Sequence, residues 1–461
     1  MNELRRVLVA NRGEIALRIV RACHVAGIEA VAVYSRADTD AHWVRLADDA
    51  RYIGGSPAQK SYLDTGAVLE AAEDTGADAV HPGYGFLSEN EGFARAARER
   101  GLVFIGPPAE VIGLMGDKSR ARGTASSAGV PVVPGSGPLT DVDAALREAE
   151  TVGYPLLVKA SAGGGGRGIR RVAGPEELAE VFAAAGAEAA GTFGDGTLYL
   201  ERAVEGARHI EVQVLADTHG NAVHLFERDC SVQRRRQKLV EEAPAPRLDP
   251  GAREEAVAAA VRLARHVGYV GAGTVEFLVR PDGSVYFMEM NTRIQVEHPV
   301  TESVTGVDLV AEQLRIASGA ALAFDQSDLT VNGAAVEVRI NAESPENGFA
   351  PTPGTLDAFT VPGGPGVRVD TGFTAADTIS PFYDSLLAKV VCWGADRPQA
   401  LARARQALAE LEIEGVSSTK ALHERLLADP EFCSGAVDIG WLEHALGGRL
   451  SAPSGERSPS G

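Results

Sequence analysis

The chain has 461 residues, 45% of them hydrophobic and 23% charged, and its formal net charge is −19. This length exceeds what one hydrophobic core organises, which predicts two to four domains. The acidic excess argues against nucleic acid as a partner, because a phosphate backbone requires a basic face. The cysteines are too scattered for a disulfide framework. With no apolar run of about 18 residues and a polar stretch after Met1, we expect a cytoplasmic protein that does not associate with membranes.

Alternating strands and helices open the chain. Apolar strands are predicted at 7–10, 30–34, 79–80 and 103–105, with a helix between the first two. A strand, a helix and a second strand in this order predict a parallel, doubly wound sheet. A Gly-Pro-Pro stop at 106–108 then marks a domain edge.

A Pro- and Gly-rich linker at 131–137 leads into the middle of the chain. Here the predicted strands are 156–159, 198–201, 210–214, 274–279 and 284–290, and the predicted helices are 141–152, 175–190 and 251–266. From about residue 335, short strands broken by Pro-Gly turns predict a β-rich last domain, with a helix at 398–411. Residues 451–461 are predicted to be disordered, because they are almost entirely Ser, Pro, Gly and charge.

Two glutamates are predicted to face each other across a hairpin. An Asp-Gly pair at 282–283 predicts a two-residue turn, and counting outward from that turn sets Glu276 opposite Glu289. Facing carboxylates repel unless a cation lies between them. Asn291 follows on the same face of the strand, and two carboxylates with an amide oxygen suit Mg²⁺. The alternative, two glutamates on a solvated face, is weakened by the apolar residues around them.

A glycine cluster at 162–168 lies between two predicted strands. Consecutive glycines let backbone N–H groups close on phosphate oxygens. The cluster matches neither a Walker A loop nor a dinucleotide fingerprint. Lys159, on the preceding strand, favours a flexible flap over nucleotide phosphates rather than a plain linker.

A basic run, Gln-Arg-Arg-Arg-Gln-Lys, occupies residues 233–238. Such runs are usually solvated surface. This one is flanked by acidic residues at 227–229 and 241–242, and paired charges at this density favour an anion pocket for bicarbonate or phosphate.

A polar run follows the second glutamate of the predicted hairpin. Arg293, Gln295 and Glu297 alternate with apolar residues, so an extended segment would place all three on one side. Arg293 can hold an anion and Glu297 can act as a base beside it. His298 is either catalytic or structural, and Cys230 is predicted to be a small buried residue rather than a reactive thiol.

Taken together, these segments resemble the biotin carboxylase family of ATP-grasp enzymes over residues 4–446. The resemblance rests on residues 10–16, 81–90, 115–118, 159–168, 227–231 and 289–299. It implies a multidomain α/β and α+β fold. The implied parts are a Rossmann-like N-terminal domain at 1–115, an ATP-grasp domain at 116–330 with a mobile glycine-rich lid at about 131–205, a mixed β-rich C-terminal domain at 331–446 and a disordered tail at 447–461.

The resemblance also implies roles for individual residues. The implied ATP-binding residues are Lys118, Lys159, Gly165, Gly166, Glu201, Arg202, Ala203, Val204, His209, Gln233 and Arg236. The implied ligands of Mg²⁺ or Mn²⁺ are Glu276, Glu289 and Asn291, and the implied bicarbonate-binding residues are Lys238, Arg293 and Val296. Glu297 matches the catalytic base and Arg339 the arginine that meets bicarbonate and biotin. The family usually has histidine at the position of Arg236, where arginine can bind phosphate more strongly or change nucleotide affinity.

The implied reaction carboxylates biotin at the expense of ATP. Bicarbonate attacks the γ-phosphate of ATP and gives carboxyphosphate and ADP, carboxyphosphate breaks down to CO₂ and phosphate, the phosphate takes the ureido proton of biotin, and biotin attacks CO₂. The family attaches biotin to a lysine between two methionines, and none of the methionines here precedes a lysine.

The resemblance therefore implies separate partners: a biotin carboxyl carrier protein that holds biotin, and a carboxyltransferase subunit. It indicates a homodimeric subunit of an acetyl-CoA or other acyl-CoA carboxylase, or of a two-subunit pyruvate or other carboxylase. Two alternatives are another ATP-grasp ligase and a non-catalytic nucleotide-binding scaffold.

Overall fold

The structure is a computed structural model that describes residues 4–161 and 169–448. The elements of its first part are β1 (Arg6–Val9), α1 (Gly13–Val25), β2 (Glu29–Ser35), α2 (His42–Leu46), β3 (Asp49–Gly54), α3 (Thr65–Asp74), β4 (Ala79–His81), α4 (Glu91–Glu99), β5 (Val103–Phe104) and α5 (Ala109–Gly116). The five strands are parallel, in the order β3-β2-β1-β4-β5. Gly13, with φ +68°, allows the sharp turn from β1 into α1. This is the doubly wound sheet that the sequence predicts.

A small three-stranded sheet follows, with helices beside it. Its part of the chain contains α6 (Lys118–Ser127), α7 (Val142–Val152), β6 (Leu156–Ala160), β7 (Ile169–Val172), α8 (Pro175–Phe193) and β8 (Leu198–Arg202). The strand order is β7-β6-β8, and apolar residues of α7, α8 and these strands form their own hydrophobic core. The glycine cluster lies outside the described residues.

An eight-stranded antiparallel sheet organises the rest of the chain. Up to residue 330 its elements are β9 (Arg208–Ala216), β10 (Ala222–Arg234), β11 (Gln237–Ala243), α9 (Pro250–His266), β12 (Gly271–Val279), β13 (Val285–Asn291), α10 (His298–Thr305) and α11 (Leu309–Ala317). The order is β13-β12-β9-β10-β11-β14-β21-β19, so the sheet continues across position 330 through the pairing of β11 with β14.

The last part supplies the remaining strands and four helices. Its elements are β14 (Ala334–Asn341), β15 (Glu343–Ser344), β16 (Ala350–Pro351), β17 (Gly354–Thr355), β18 (Ala358–Thr360), β19 (Val367–Thr371), β20 (Thr378–Ile379), β21 (Leu386–Gly394), α12 (Arg397–Glu410), β22 (Glu412–Glu414), α13 (Lys420–Ala428), α14 (Pro430–Ser434) and α15 (Trp441–Leu446). The predicted strands and helices are present, with ends that differ by at most three residues. Both the α/β first part and the β-rich last part are therefore confirmed.

Strand alternation places apolar residues on one face of β9 and polar residues on the other. Ile210 and Val212 of β9 pack with alanines of α9 in one core, whereas Glu211 and Gln213 point to the other face and are buried there. Buried charge on a sheet face requires partners, which identifies this face as the place to look for a site. Among the described residues, no helix combines the length and apolar composition that a membrane span requires.

Candidate active site

A row of charged side chains crosses four strands of the large sheet. The strand register pairs Glu289 with Glu276, Glu276 with Glu211, and Glu211 with Arg228. All of them except Glu289 are buried. Like charges directly opposite each other destabilise a sheet, so three adjacent carboxylates require cations close to the row.

The ammonium of Lys238 supplies positive charge at the centre of the row. Its Nζ donates to Glu211 Oε2 at 2.6 Å, to Glu276 Oε1 at 3.0 Å and to Glu297 Oε1 at 2.6 Å. Burial by itself lowers the pKa of Lys238, but these carboxylates raise it well above its ordinary value. His209, Glu211 and Glu276 also lie close enough to share a metal ion, but the ammonium already bridges the two glutamates.

Glu297, the predicted base, lies between two cations. Its Oε1 accepts from Lys238, and its Oε2 accepts from Arg339 Nη2 at 2.9 Å. Arg339 Nε also donates to Glu241 Oε1 at 2.6 Å. Burial raises the pKa of Glu297, but Lys238 and Arg339 together hold it well below its usual range. The carboxylate is therefore ionised and directed at the point where an anion would meet both cations.

The predicted pairing of Glu276 with Glu289 is present, but the turn that predicted it is wrong. The loop contains three residues, 281–283, because Arg280 N donates to Ser284 O at 2.9 Å and Gly283 adopts φ +83°. Phe277 consequently pairs with Phe287, and an irregularity at Met288 shifts the register back by one residue. Met288 is one of the apolar residues around the two glutamates that weighed against a solvated face, but it is 37% exposed. The bulge keeps the two glutamates opposite each other.

The donor set around these two glutamates fits a divalent cation. Asn291 Nδ2 donates to Glu276 Oε1 at 2.9 Å, which places its amide beside the carboxylates. The side chain of Glu289 is 41% exposed and lies 4.0 Å from Lys118 Nζ, so it is accessible to solvent. Partial burial and the charge of Glu276 raise the pKa of Glu289. Hard oxygen ligands that are accessible to solvent suit Mg²⁺, which retains bonds to phosphate and water.

The polar run after β13 is bent rather than extended, so the extended segment that would place Arg293, Gln295 and Glu297 on one side is not present. Arg293 Nε donates to Glu89 Oε2 at 2.9 Å, and Gln295 Nε2 donates to Glu276 Oε1 at 2.7 Å. Bends and a turn lead from β13 into α10, and they direct each polar side chain separately into the same charged region. His298 is buried with Nδ1 2.8 Å from Gln295 O, and burial lowers its pKa well below the ordinary value, as for a structural histidine.

Two of the predicted nucleotide-binding residues, Lys159 and Glu201, lie on neighbouring strands of the three-stranded sheet. Lys159 of β6 pairs with Glu201 of β8, which also accepts from Arg122 Nη1 at 3.3 Å. Burial lowers the pKa of Lys159 and outweighs this pairing, and the positive charges of Lys118 and Arg236 act in the same direction. Positive charges on Lys118 and Arg236 therefore lie close enough to interact with Lys159.

Other predicted nucleotide residues have structural contacts. Arg202 Nε donates to Val152 O at 2.8 Å, and Ala203 N donates to Pro155 O at 2.9 Å. Val204 continues the same segment after β8. His209 Nε2 lies 3.1 Å from Glu276 Oε2, which links His209 to the predicted metal ligands. Gly165 and Gly166 lie outside the described residues.

The basic run forms a tight hairpin between β10 and β11. Gln233 pairs with Lys238 and Arg234 with Gln237, so Arg235 and Arg236 form a two-residue turn. Both turn residues have a positive backbone φ, +47° and +67°, which residues other than glycine rarely adopt. The tip is attached to the last part of the chain, because Arg235 N donates to Glu443 Oε1 at 3.1 Å and Arg234 lies 4.0 Å over the ring of Phe349.

Sequence reasoning missed several residues that support the site. Arg228 donates Nε to Glu211 at 2.5 Å and Nη2 to Gln295 at 2.9 Å, and all of these side chains are buried. The sequence feature that could have revealed them is a charged residue within an otherwise apolar predicted strand, as at Glu211. Cys230 is fully buried 3.9 Å from Glu297, and burial raises its pKa well above the ordinary value. The small buried residue predicted there is confirmed.

Protonation of His423 is expected to destabilise the fold at acid pH. His423 lies behind Arg339, whose carbonyl oxygen is 2.7 Å from His423 Nε2. Burial lowers its pKa from 6.5 to about 4. Because the pKa is lower in the folded state, the stabilising contribution of the neutral histidine is complete above pH 6.5 and is lost as the pH falls towards 4. The loss is about 2 kcal/mol at pH 5. The decrease in melting temperature from pH 7 to pH 5 should therefore be smaller in His423→Gln than in the unsubstituted protein, and an equal decrease in the two would contradict this assignment.

Comparisons with known protein families match nearly the whole chain. Residues 3–112 match the biotin carboxylase N-terminal domain, residues 117–324 the ATP-binding domain of the carbamoyl-phosphate synthase L chain, and residues 337–444 the biotin carboxylase C-terminal domain. The biotin carboxylase of Pseudomonas aeruginosa is 53% identical over 446 residues, 96% of this chain and 99% of that protein. A pyruvate carboxylase subunit from Methanothermobacter thermautotrophicus is 50% identical, over 95% of this chain and 89% of that protein.

Solved structures agree with the sequence relatives. The biotin carboxylase domain dimer of the Hydrogenobacter thermophilus 2-oxoglutarate carboxylase, in complex with MgADP, ADP and bicarbonate, superposes with a TM-score of 0.93 at 48% identity, covering 99% of this chain and 100% of that one. The biotin carboxylase of Campylobacter jejuni gives a TM-score of 0.92 at 44% identity, with 96% and 99% coverage. The resemblance inferred from the sequence is confirmed, and the chain belongs to the biotin carboxylase family of ATP-dependent ligases.

Proposed function

We propose that this chain carboxylates biotin carried on a separate carrier protein, using ATP and bicarbonate. The observation that carries the proposal is the position of Glu297, whose two carboxylate oxygens accept from Lys238 and Arg339. Two cations on either side of a base can hold a small anion next to it, and the base can then take the proton of that anion. Lys238 also donates to Glu276, which faces Glu289 across the hairpin.

Each predicted residue receives a proposed role. Lys238, Arg293 and the backbone of Val296 bind bicarbonate, and Glu297 removes its proton so that it can attack the γ-phosphate of ATP. Oxygen of bicarbonate forms the new bond to phosphorus, ADP leaves, and carboxyphosphate is the product. Carboxyphosphate then breaks down to CO₂ and phosphate, and the phosphate takes the ureido proton of biotin. Arg339 stays in contact with the anion and then stabilises the ureido oxygen as the biotin nitrogen attacks CO₂. Cationic groups are needed because negative charge gathers at every stage.

The nucleotide side is proposed to bind ATP through Lys118, Lys159, Gly165, Gly166, Glu201 to Val204, His209, Gln233 and Arg236. Glu276, Glu289 and Asn291 would hold Mg²⁺ or Mn²⁺, which when bound neutralises phosphate charge. Because related structures contain MgADP and bicarbonate, the same ligands are proposed here.

The partners are proposed from the family relationship. They are a biotin carboxyl carrier protein and a carboxyltransferase subunit. The proposed working unit is a homodimer, since a related domain was solved as a dimer.

Acetyl-CoA or another acyl-CoA is the proposed final acceptor. The named pyruvate and 2-oxoglutarate carboxylase relatives favour a second candidate, in which the chain belongs to a two-subunit carboxylase for an oxo acid. The domain limits at 115, 330 and 446 and the cytoplasmic location stay predictions.

Activity is tested with the purified chain. We expect ATP hydrolysis that depends on bicarbonate and increases with free biotin, measured as phosphate release. Hydrolysis no faster than background with both substrates present would contradict the proposal. Nucleotide binding without turnover, even with a biotinylated carrier, would favour the scaffold alternative. Affinity capture of the biotinylated partner and its transferase then distinguishes an acyl-CoA acceptor from an oxo acid.

A further inference from the structure

A lysine outside the proposed catalytic set is buried beside residues 293–298, the active-site segment. Lys389 lies in the middle of β21, with Arg339 of β14 opposite it on one side and Asp370 of β19 on the other. Its side chain is 0% exposed. Burying an ammonium group is costly unless it is paired and hydrogen-bonded. Its contacts therefore indicate what the charge is for.

The ammonium donates to the main chain of the active site. Lys389 Nζ lies 2.9 Å from the carbonyl oxygen of Val296. That carbonyl belongs to the peptide unit that joins Val296 to Glu297, so fixing it sets the plane of the peptide immediately before the proposed base. The segment is bent rather than a strand or helix, and therefore no regular ladder of hydrogen bonds fixes this plane. A simple charge pair in the core would not require the carbonyl contact.

Two carboxylates from different parts of the chain hold the ammonium in place. Glu14 Oε2 of α1 lies 3.1 Å from Lys389 Nζ, and Asp370 Oδ2 lies 3.7 Å away. Asp370 is itself held by Arg368, at 2.8 and 2.7 Å. Glu14 also accepts from the hydroxyl of Tyr84, which follows β4. The lysine thus connects the first sheet, the large sheet and the active-site segment.

We propose that Lys389 is a positioning residue that acts through the Val296 carbonyl to hold the bicarbonate-binding backbone and Glu297 in their working arrangement. This inference rests on the proposed function for its kinetic consequence. Residues that orient groups in direct contact with the substrate typically change activity about 10- to 100-fold when replaced. Lys389→Met is therefore expected to lower kcat/KM for bicarbonate by about that factor. The KM for ATP and the affinity for ADP should stay within about twofold, because the contacts of Lys389 lie on the bicarbonate side of the site.

Asp370→Asn is the matched control. It removes a charge 3.7 Å from the ammonium, whereas Glu14 at 3.1 Å stays as the closer anchor. The contact between Lys389 and Val296 should therefore remain, and kcat/KM for bicarbonate should stay close to that of the unsubstituted protein. A purely structural role for Lys389 predicts instead that both variants lose active protein to similar degrees without a change in either KM. If Lys389→Met does not fold, the double variant Lys389→Met with Asp370→Asn carries the test, since it removes one positive and one negative charge together.

Hydrogen exchange gives a second measurement that does not depend on activity. Amides in residues 293–298 should exchange at least about tenfold faster in the folded lysine variant and at an unchanged rate in Asp370→Asn. Unchanged exchange in this segment, or unchanged bicarbonate kinetics in a folded lysine variant, would overturn the proposal. An inactive unsubstituted protein would instead refute the proposed function, and the exchange rates would still decide whether Lys389 positions the segment.

Discussion

Replacing Glu297 with glutamine is expected to lower bicarbonate-dependent ATP cleavage about 10²- to 10⁴-fold, the usual contribution of a positioned base. The amide has almost the same shape but cannot accept the bicarbonate proton. The fold should survive, because Lys238 keeps Glu211 and Glu276 as partners and Arg339 keeps Glu241. Initial rates of ADP formation at saturating ATP and bicarbonate measure the effect.

The low pKa of Glu297 belongs to the substrate-free protein. Lys238 and Arg339 produce it against the effect of burial, and these are the cations that a bound anion would engage. Anion binding would therefore withdraw their stabilisation of the carboxylate and make Glu297 a stronger base when it is needed.

Glu242→Gln is the matched control for this prediction. Glu242 is also buried and accepts from Arg397 at 2.6 and 3.0 Å, but it points to the opposite face of β11 from the site residues. Its replacement should lower the melting temperature but leave the turnover rate of the folded protein nearly unchanged. Similar losses of turnover in both glutamine variants would mean that Glu297 acts through stability alone, and the assignment of the base would fail.

The second large effect is expected from Glu289→Gln. The variant should lose at least about 10²-fold in turnover at a fixed Mg²⁺ concentration, because a neutral amide binds a hard cation poorly and transition-state charge is left uncompensated. Stability should hardly change, since Glu289 is 41% exposed and its ammonium neighbour Lys118 is 4.0 Å away. Turnover measured against Mg²⁺ concentration should show both a lower maximum and a higher requirement for metal.

Asp282→Asn provides a comparison on the same hairpin. It also removes one carboxylate charge, but from the exposed loop, so its Mg²⁺ dependence should match that of the unsubstituted chain. Full turnover of Glu289→Gln at the ordinary Mg²⁺ concentration would show that this glutamate is not a metal ligand.

The hairpin shows how far the sequence carried the site. Local pattern predicted two strands and the facing pair of glutamates, but the count assumed a two-residue turn. The loop has three residues, and the bulge at Met288 restores the pairing. A bulge depends on how both strands pack against their neighbours, so the short-range pattern could not reveal it. The residue pair was right although the route to it was wrong.

Long-range pairing explains the other gaps. The sequence assigned Arg339 a role only through resemblance, whereas Lys238 and Glu297 were also singled out by the basic run and the polar run. No local pattern predicts that these three residues meet, because they lie on separate elements that the fold brings together. The pairing of β11 with β14 carries one sheet from the middle of the chain into its last part. Residues such as Glu211 and Arg228 gain their partners from that register, and no spacing within a single strand predicts it.

The turn at Arg235 and Arg236 has a consequence for how this enzyme can vary. Its backbone course is set by strand pairing on both sides and by the contact of Arg235 with Glu443, rather than by a glycine. Lys238 lies two residues after position 236 and is anchored by three carboxylates. The side chain at position 236 can therefore be exchanged without moving Lys238. The hairpin separates position 236, which is proposed to contact the nucleotide, from a firmly held charge centre. Under that proposal, substitutions at position 236 would change nucleotide preference without disturbing the groups proposed for carboxylation.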